Sequence, residues 1–388
     1  MDEPAQTRSR ALLITRNLPP LRGGMERLVQ HVAQSLARDY DLSVVGPTGC
    51  AAYLPHSTQT REVTYHPLPR FLFAAGAATW KASRRHLTVV VAGSGLTAPL
   101  AWWAARRARA RFVVYLHGLD VVAPSAVYQR CWLPFIRRAD LVLVNSGNTR
   151  RLALERGVPQ QAIEILHPGT ELPKPDPEAG QAFRAAHGLS GRPLLLSVGR
   201  LTPRKGLAEF ICHSLPAILA GNPDALLLVI GADANDAVRP ATDSEHARIL
   251  RSAEKAGVSS AVRMLPPCDD AVLSAAYRAA DAYIFPVLEL PGDVEGFGMV
   301  AIEAAAHGLP TIGFRVGGVP DAIIDGTSGS LVEPKDYAGF ATQVDHWLAR
   351  AGDPQVHVKC LAAATAFGWD RFGERLHALL RGMSSRRT

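Results

Sequence analysis

The sequence predicts an α/β protein made of two doubly wound, Rossmann-like parallel-sheet domains. Three observations carry this reading. Short apolar runs alternate with helix-period patterns along the chain, the alternation breaks at a proline-rich stretch and then restarts, and 388 residues exceed what one small core can fill.

Residues 12–14 are a buried-strand candidate, followed by Pro19-Pro20 and the turn Gly23-Gly24. Met25, Leu28, Val29, Val32, Ala33 and Leu36 then recur at the spacing of one helix face. Residues 42–45, 89–91, 112–116 and 141–144 continue as strands. The stretch 87–105 is uncharged and long enough to span a bilayer. Gly93, Ser94, Gly95 and Pro99 interrupt it, so it reads as strand, loop and helix. The segment ELPKPDPEAGQAFRAAHGLSGRP, residues 171–193, reads as a linker holding a short helix. Beyond it, residues 194–198, 226–231, 282–287 and 311–314 are strands, and residues 232–248 are a polar surface excursion leading to a helix. The predicted domains are therefore 1–172 and 194–365, joined by 173–193.

A chain with 47% hydrophobic and 20% charged residues is neither disordered, collagen-like nor a coiled-coil rod. Its five cysteines, Cys50, Cys131, Cys212, Cys268 and Cys360, are far apart and form no CxxC, which argues against a disulfide framework or cysteine zinc site and for an intracellular protein. The N-terminus MDEPAQTRSR lacks the apolar core of a signal peptide. Net charge is +7, but residues 1–178 carry +9 and the remainder −2. A basic half of this kind suits an anionic partner surface.

Four clusters can carry chemistry. In SVGRLTPRKG (197–206), Arg200 and Lys205 follow a strand end, where a guanidinium fork and an ammonium can grip a diphosphate; a solvated loop with two surface cations is the competing reading. In VLELPGDVEGFGMVAIEAAAHGLPTIGF (287–314), Glu295 precedes Gly296, Phe297 and Gly298, which open a helix at Met299 that bears Glu303. Glycines at a helix start let backbone N–H groups approach an anion, and carboxylates accept hydrogen bonds from sugar hydroxyls. Gly317-Gly318 adds a third glycine-rich turn. Gly23-Gly24 lies between the first strand and its helix, without a dinucleotide fingerprint. His117, in YLHGLD (115–120), ends a strand of the same domain.

Taken together, PPLRGGMERLV (19–29), YLHG (115–118), NSGNTRRLALERGV (145–158), ILHPGTE (165–171), SVGRLTPRKG, the spacing of Glu295 and Glu303, and GGVPDAIIDGTSGSLVEP (317–334) resemble the retaining nucleotide-sugar glycosyltransferases of family four. VEGFGMVAIEA looks most like the branch that includes phosphatidylinositol mannosyltransferases. The resemblance implies a GT-B fold, two Rossmann-like domains facing a central cleft, with residues 366–388 a C-terminal helix packing back on the first domain. It implies that Arg200 and Lys205 hold the donor diphosphate. Glu295, near the amides of Phe297, Gly298 and Met299, would bind donor-sugar hydroxyls, and Glu303 the ribose. Gly23 and Gly24 would face the donor phosphate from the first domain, and His117 would lie beside the transferring sugar. The implied reaction is retaining and metal-independent, with a nucleotide sugar as co-substrate and no cofactor. GDP-mannose is the first expectation, and UDP-glucose or UDP-N-acetylglucosamine the next. A nucleotide-sugar epimerase is the rival activity.

Two departures stand out. Pro266-Pro267 replaces the glycine the family commonly places near the nucleobase, which leaves guanine against uracil open. The lone DxD, Asp39-Tyr40-Asp41, falls at a helix-to-strand turn and is not a metal site. Two stretches of the basic half, RFLFAAGAATWKASRRH (70–86) and WWAARRARARF (102–112), mix cations with large apolar groups, as a membrane-surface element does. The expectation is a cytoplasmic enzyme, peripheral on the inner membrane face, with a lipid-linked or cell-envelope glycan acceptor. Nucleic acid is not an expected partner, because no recognised module accompanies the charge.

Overall fold

A computed structural model describes residues 8–123, 125–233 and 244–385. The first seven residues, on which the signal-peptide reading rests in part, and residues 234–243 of the surface excursion lie outside the described residues. The chain divides into two compact units, residues 1–168 with 369–388, and residues 169–368.

The first unit runs β1 (Arg10–Ile14), α1 (Gly24–Asp39), β2 (Asp41–Pro47), β3 (Gln59–Val63), α2 (Leu68–Ala82), β4 (Val89–Ala92), α3 (Ala98–Ala108) and β5 (Arg111–Leu116). Three short helices follow, α4 (Leu119–Val122), α5 (Ala126–Cys131) and α6 (Leu133–Ile136), then β6 (Leu141–Val144), α7 (Gly147–Glu155) and β7 (Ile163–Ile165). The strands form one parallel sheet in the order β3-β2-β1-β4-β5-β6-β7. Each face carries its own core. Leu12, Ile14, Val90 and Val114 pack with Phe71 of α2 and Ala101 of α3, whereas Ala11, Leu13, Val89 and Val113 pack with α1. Burial on both faces is why these strands read as unbroken apolar runs. The stretch 87–105 resolves into β4, a loop and the first part of α3. Among the described residues no helix is long and apolar enough to cross a membrane.

The second unit contains α8 (Pro177–Ala186), β8 (Leu194–Val198), α9 (Leu207–His213), α10 (Leu215–Gly221), β9 (Leu226–Ile230), α11 (Glu245–Lys255), β10 (Val262–Leu265), α12 (Asp270–Ala279) and β11 (Ala282–Phe285). It continues with α13 (Met299–Ala306), β12 (Thr311–Phe314), α14 (Val319–Ala322), β13 (Gly329–Val332), α15 (Tyr337–Leu348) and α16 (Pro354–Thr365). Its parallel sheet has the order β10-β9-β8-β11-β12-β13. The last helix, α17 (Trp369–Ser385), belongs to the first unit. There Phe372, Leu376 and Leu380 share the core of α1, and Trp369 stacks on His31 with ring centroids 3.7 Å apart.

The segment expected to link the domains is instead part of the second one. Asp176 caps α8 through Ala179 N–H, the helix packs along α12, and Phe183 and Leu189 enter the core. Its prolines start a helix, with Pro177 at the first helical turn, where a missing N–H costs nothing. Pro173 and Pro175 precede it outside any helix or strand.

Candidate active site

In both sheets the chain order reverses beside the first strand, between β1 and β4 and between β8 and β11. Loops diverge at such a point, and the carboxyl ends of the flanking strands leave a crevice for ligands. The sequence-derived candidates of the second unit fall on the two loops that leave β8 and β11 and on the start of α13 that follows the second.

The first loop starts at Gly199, whose backbone has φ 136°, and passes Arg200 to reach Lys205 in a short 3₁₀ turn, Pro203–Lys205. Gly206 closes it at φ 69°, and a Cβ there would stand 2.0 Å from the Pro286 carbonyl oxygen. Only glycine permits that approach. Leu288 N–H donates to the Arg204 carbonyl at 2.8 Å, so the loop after β8 is tied to the loop after β11.

The second loop carries Glu295. Gly318 N–H donates to the Glu295 carbonyl at 2.9 Å, and a Cβ on Gly318 would lie 2.1 Å from the Gly296 oxygen. The Gly317-Gly318 turn is thus the close-packed support of this loop. Gly298, at φ 103°, starts α13 directly over Phe285, where a Cβ would come within 2.9 Å of the ring. Phe297 turns inward and is 2% exposed, while Met299 begins the helix. Glu303 lies one turn further on, where Tyr277 Oη donates to its Oε2 at 3.3 Å.

Lys205 Nζ stands 2.8 Å from Glu295 Oε2 and 4.7 Å from the Phe285 ring centroid. Arg204 Nη1 donates to the same Oε2, and its Nε lies 3.0 Å from Asp293 Oδ1. Burial alone would raise the Glu295 carboxyl, but Arg204 and Lys205 override it and hold the group at about 2. Burial lowers the Lys205 ammonium despite the pull of Glu295, with the Arg204 and Arg200 charges adding to that effect. Lys205 is therefore engaged with a carboxylate rather than projecting freely as a phosphate grip. Arg200, by contrast, is exposed at the loop surface. A buried carboxylate between two cations stays ionised, and the cations beside it can neutralise an arriving phosphate.

In the first unit Gly23 and Gly24 are exposed at the start of α1, with no side chain capping the helix. Buried Glu26 sits beneath them. It accepts from Asn17 Nδ2 at 2.9 Å, and its other oxygen fills the space a Cβ on Gly23 would occupy. His117 is 5% exposed, and its Nε2 lies 2.8 Å from the Gly93 carbonyl. Among the described residues its Nδ1 has no hydrogen-bond partner. Asp120 clamps this end of the sheet, accepting from His117 N–H at 3.1 Å and from Gly95 N–H at 2.8 Å. Asn145 Nδ2 donates to the His117 carbonyl at 3.2 Å.

The sequence reading missed Arg204, Asp293, Tyr277, Asp120 and Glu26. Four of these were in view, Arg204 next to Lys205, Asp293 two residues before Glu295, Asp120 three after His117 and Glu26 two after Gly24. Tyr277 had no local signal at all. Asp39 and Asp41 are committed elsewhere, to His377 and Arg10. A cavity of about 940 Å³ in the second unit lies at the opposite, amino-terminal ends of the strands, beside Pro193, Asp281 and Pro310, and is lined by none of the sequence-derived candidates, though Tyr277 borders it.

Comparison with known proteins gives this arrangement a context. Residues 22–173 match the family described as Glycosyltransferase Family 4, and residues 181–359 match Glycosyl transferases group 1. The chain is 30% identical over 388 aligned positions, 96% of its own length and 98% of the relative's, to a GDP-mannose-dependent alpha-(1-6)-phosphatidylinositol monomannoside mannosyltransferase of Mycolicibacterium smegmatis. It is also 30% identical, over 63% of this chain and 49% of the relative, to a D-inositol 3-phosphate glycosyltransferase of Mycobacterium tuberculosis. In fold it is similar to the Anabaena protein HepE in complex with UDP, with a TM-score of 0.78, 19% identity and coverage of 96% and 100% of the two chains. The chain belongs to the GT-B glycosyltransferases, with a family 4 domain followed by a group 1 domain.

Proposed function

We propose that this glycosyltransferase moves a hexose, first of all mannose from GDP-mannose, to a lipid-linked or cell-envelope glycan acceptor. The observation that carries the reading is the grouping of Lys205, Arg204 and Glu295 at the β8–β11 switch point, beside the glycine-opened start of α13. Arg200 and Lys205 would take the donor diphosphate, stabilising charge as the nucleoside diphosphate departs. Glu295 would accept hydrogen bonds from the sugar, the amides of Phe297, Gly298 and Met299 would approach it, and Glu303, held by Tyr277, would take the ribose hydroxyls. On the first domain, Gly23 and Gly24 would take the donor phosphate and His117 the transferring sugar.

Retention is what the family resemblance leads us to expect, and on this reading the leaving phosphate, rather than a side-chain nucleophile, assists the acceptor. The bond from the anomeric carbon to the phosphate oxygen breaks, the acceptor oxygen bonds to that carbon on the same face, and the acceptor proton passes to the leaving phosphate. The cations supply the charge that a metal would otherwise bring, so turnover should survive chelation with EDTA.

A thermal-shift screen with GDP, GDP-mannose, UDP, UDP-glucose and UDP-N-acetylglucosamine tests the donor. Pro266-Pro267 is the reason both bases are included. Stabilisation by the guanosine pair alone supports the reading, and stabilisation by the uridine compounds alone replaces its donor. Glu295→Ala and Lys205→Ala should each cut transfer by orders of magnitude, and near wild-type turnover in both defeats the site. Incubation with donor and no acceptor separates an epimerase, which would yield a new nucleotide sugar.

Helices α2 and α3 support a peripheral position on the cytoplasmic membrane face. They pack side by side, leaving Phe73 83%, Trp80 52% and Trp103 61% exposed, with the Arg107 guanidinium 4.0 Å from the Trp80 ring centroid. Large rings backed by arginines suit the boundary between anionic head groups and acyl chains. Vesicle flotation tests this, since equal recovery with neutral and anionic vesicles removes it.

A further inference from the structure

Arg204 makes three links in the site, although the diphosphate grip was assigned to its neighbours. Its carbonyl accepts from Leu288 N–H at 2.8 Å, its Nε meets Asp293 at 3.0 Å, and its Nη1 donates to Glu295 Oε2. The side chain is only 13% exposed. Lys205 reaches the same Oε2 at 2.8 Å, so one carboxylate oxygen carries two cations. With Asp293 the two cations face two carboxylates, but Glu295 alone touches both cations, and that doubling has a use once a ligand arrives.

A donor diphosphate at this loop competes with Glu295 for Lys205. Were Lys205 the sole partner of Glu295, the exchange would strand a buried carboxylate without a counter-charge, which is strongly unfavourable. Arg204 is anchored at its far side by Asp293 and cannot follow Lys205 away. We propose that Arg204 is a positioning residue that keeps Glu295 paired and in place while Lys205 exchanges Glu295 for the donor diphosphate. This rests on the nucleotide-sugar reading of the site. Among the described residues, Arg204, Lys205 and Tyr283 interact with Glu295 directly, while Arg200 acts on Lys205, Asp293 on Arg204 and Glu303 on Tyr283. Of these, the two cations in direct contact govern its ionisation.

The test uses the full chain as wild type, Arg204→Gln, Arg204→Lys and Asp293→Asn. Turnover and KM are measured with GDP-mannose and with UDP-glucose across the acid range, and the thermal unfolding midpoint is followed over the same range without nucleotide. In Arg204→Gln, kcat/KM should fall on the order of 100-fold through misplacement of Glu295. Its acid limb should also rise by about one pH unit or more, in turnover and in unfolding alike, because Glu295 keeps a single cation. Arg204→Lys should restore the acid limb but not the rate, since one ammonium cannot hold both carboxylates. Asp293→Asn should lower the rate without raising the acid limb. An Arg204→Gln protein whose acid limb coincides with wild type in every measurement overturns the proposal, whatever its rate. If Arg204→Gln does not fold, wild-type kcat/KM in both remaining variants overturns it, and a loss in both supports it. A wild type that turns over neither donor, while the unfolding limb still shifts in Arg204→Gln, counts against the nucleotide-sugar reading and leaves Arg204 as the support of Glu295.

Discussion

Tyr283 Oη accepts a hydrogen bond from Val198 N–H at 3.1 Å and donates one to the Val198 carbonyl at 3.0 Å. Val198 is the last residue of β8, and the loop carrying Arg200 and Lys205 begins at the next position. One hydroxyl on β11 thus satisfies both backbone groups of the strand end from which the loop of residues 199–206 departs. Burial drives its phenol well above the ordinary tyrosine range, so it remains a neutral donor and acceptor at any working pH.

Tyr283→Phe should therefore cost about 1–3 kcal/mol, the price of leaving partly buried backbone groups unsatisfied. Urea unfolding measures this. A loss of under about 0.5 kcal/mol would mean that water replaces the hydroxyl without penalty.

Glu295→Gln should lower stability at neutral pH by about 3–5 kcal/mol, because it leaves Arg204 and Lys205 largely buried with no negative partner between them except Asp293. Denaturant midpoints of the two proteins decide it. An unchanged midpoint would show that the cluster is already water-screened.

The pH dependence has a definite sign. The Glu295 carboxyl is held at about 2, against an ordinary value of 4.5. Its folded-state value is the lower one, so the stability it contributes is complete above about 4.5 and is lost as pH falls through about 2. The difference in unfolding midpoint between wild type and Glu295→Gln should be flat above that window, narrow inside it and close at its lower edge. A difference that widens on acidification contradicts the ion cluster.

Gly206→Ala should disrupt the loop of residues 199–206 while leaving the first domain intact. A Cβ there would press on the Pro286 carbonyl at 2.0 Å, in a backbone conformation that alanine adopts only under strain. The expected cost is about 1–3 kcal/mol. Proteolysis of the folded protein should show new cleavage near residues 199–206, and an unaltered pattern would contradict the close packing.

How much of this was legible depended on burial. Strands covered on both faces, such as β8 and β9, announce themselves as LLLSV and LLLVI, whereas β3 is the polar edge strand QTREV and left no apolar run to find. The strand β7 has three residues, and β13 includes only two large apolar ones, too little for a pattern to resolve. The short helix α8 was legible within 171–193, but its proline-rich flank made the segment read as a linker rather than as part of the second domain. At the site, residue types and strand-end positions pointed to Arg200, Lys205, Glu295 and Glu303. The sharing of one carboxylate oxygen by Arg204 and Lys205 was not legible, because it joins positions about ninety residues apart through the β8–β11 pairing.

The double hold of Arg204 on the second loop bears on how this scaffold can be altered. Its carbonyl fixes Leu288 and its guanidinium fixes Asp293, so one residue fastens both ends of a short stretch, Glu289, Leu290, Pro291 and Gly292. A change of length in so short a stretch would strain its closure, whereas exchanging its side chains leaves both fastenings in place. Substitution rather than insertion is accordingly the way to vary these four positions while Glu295 stays where it is.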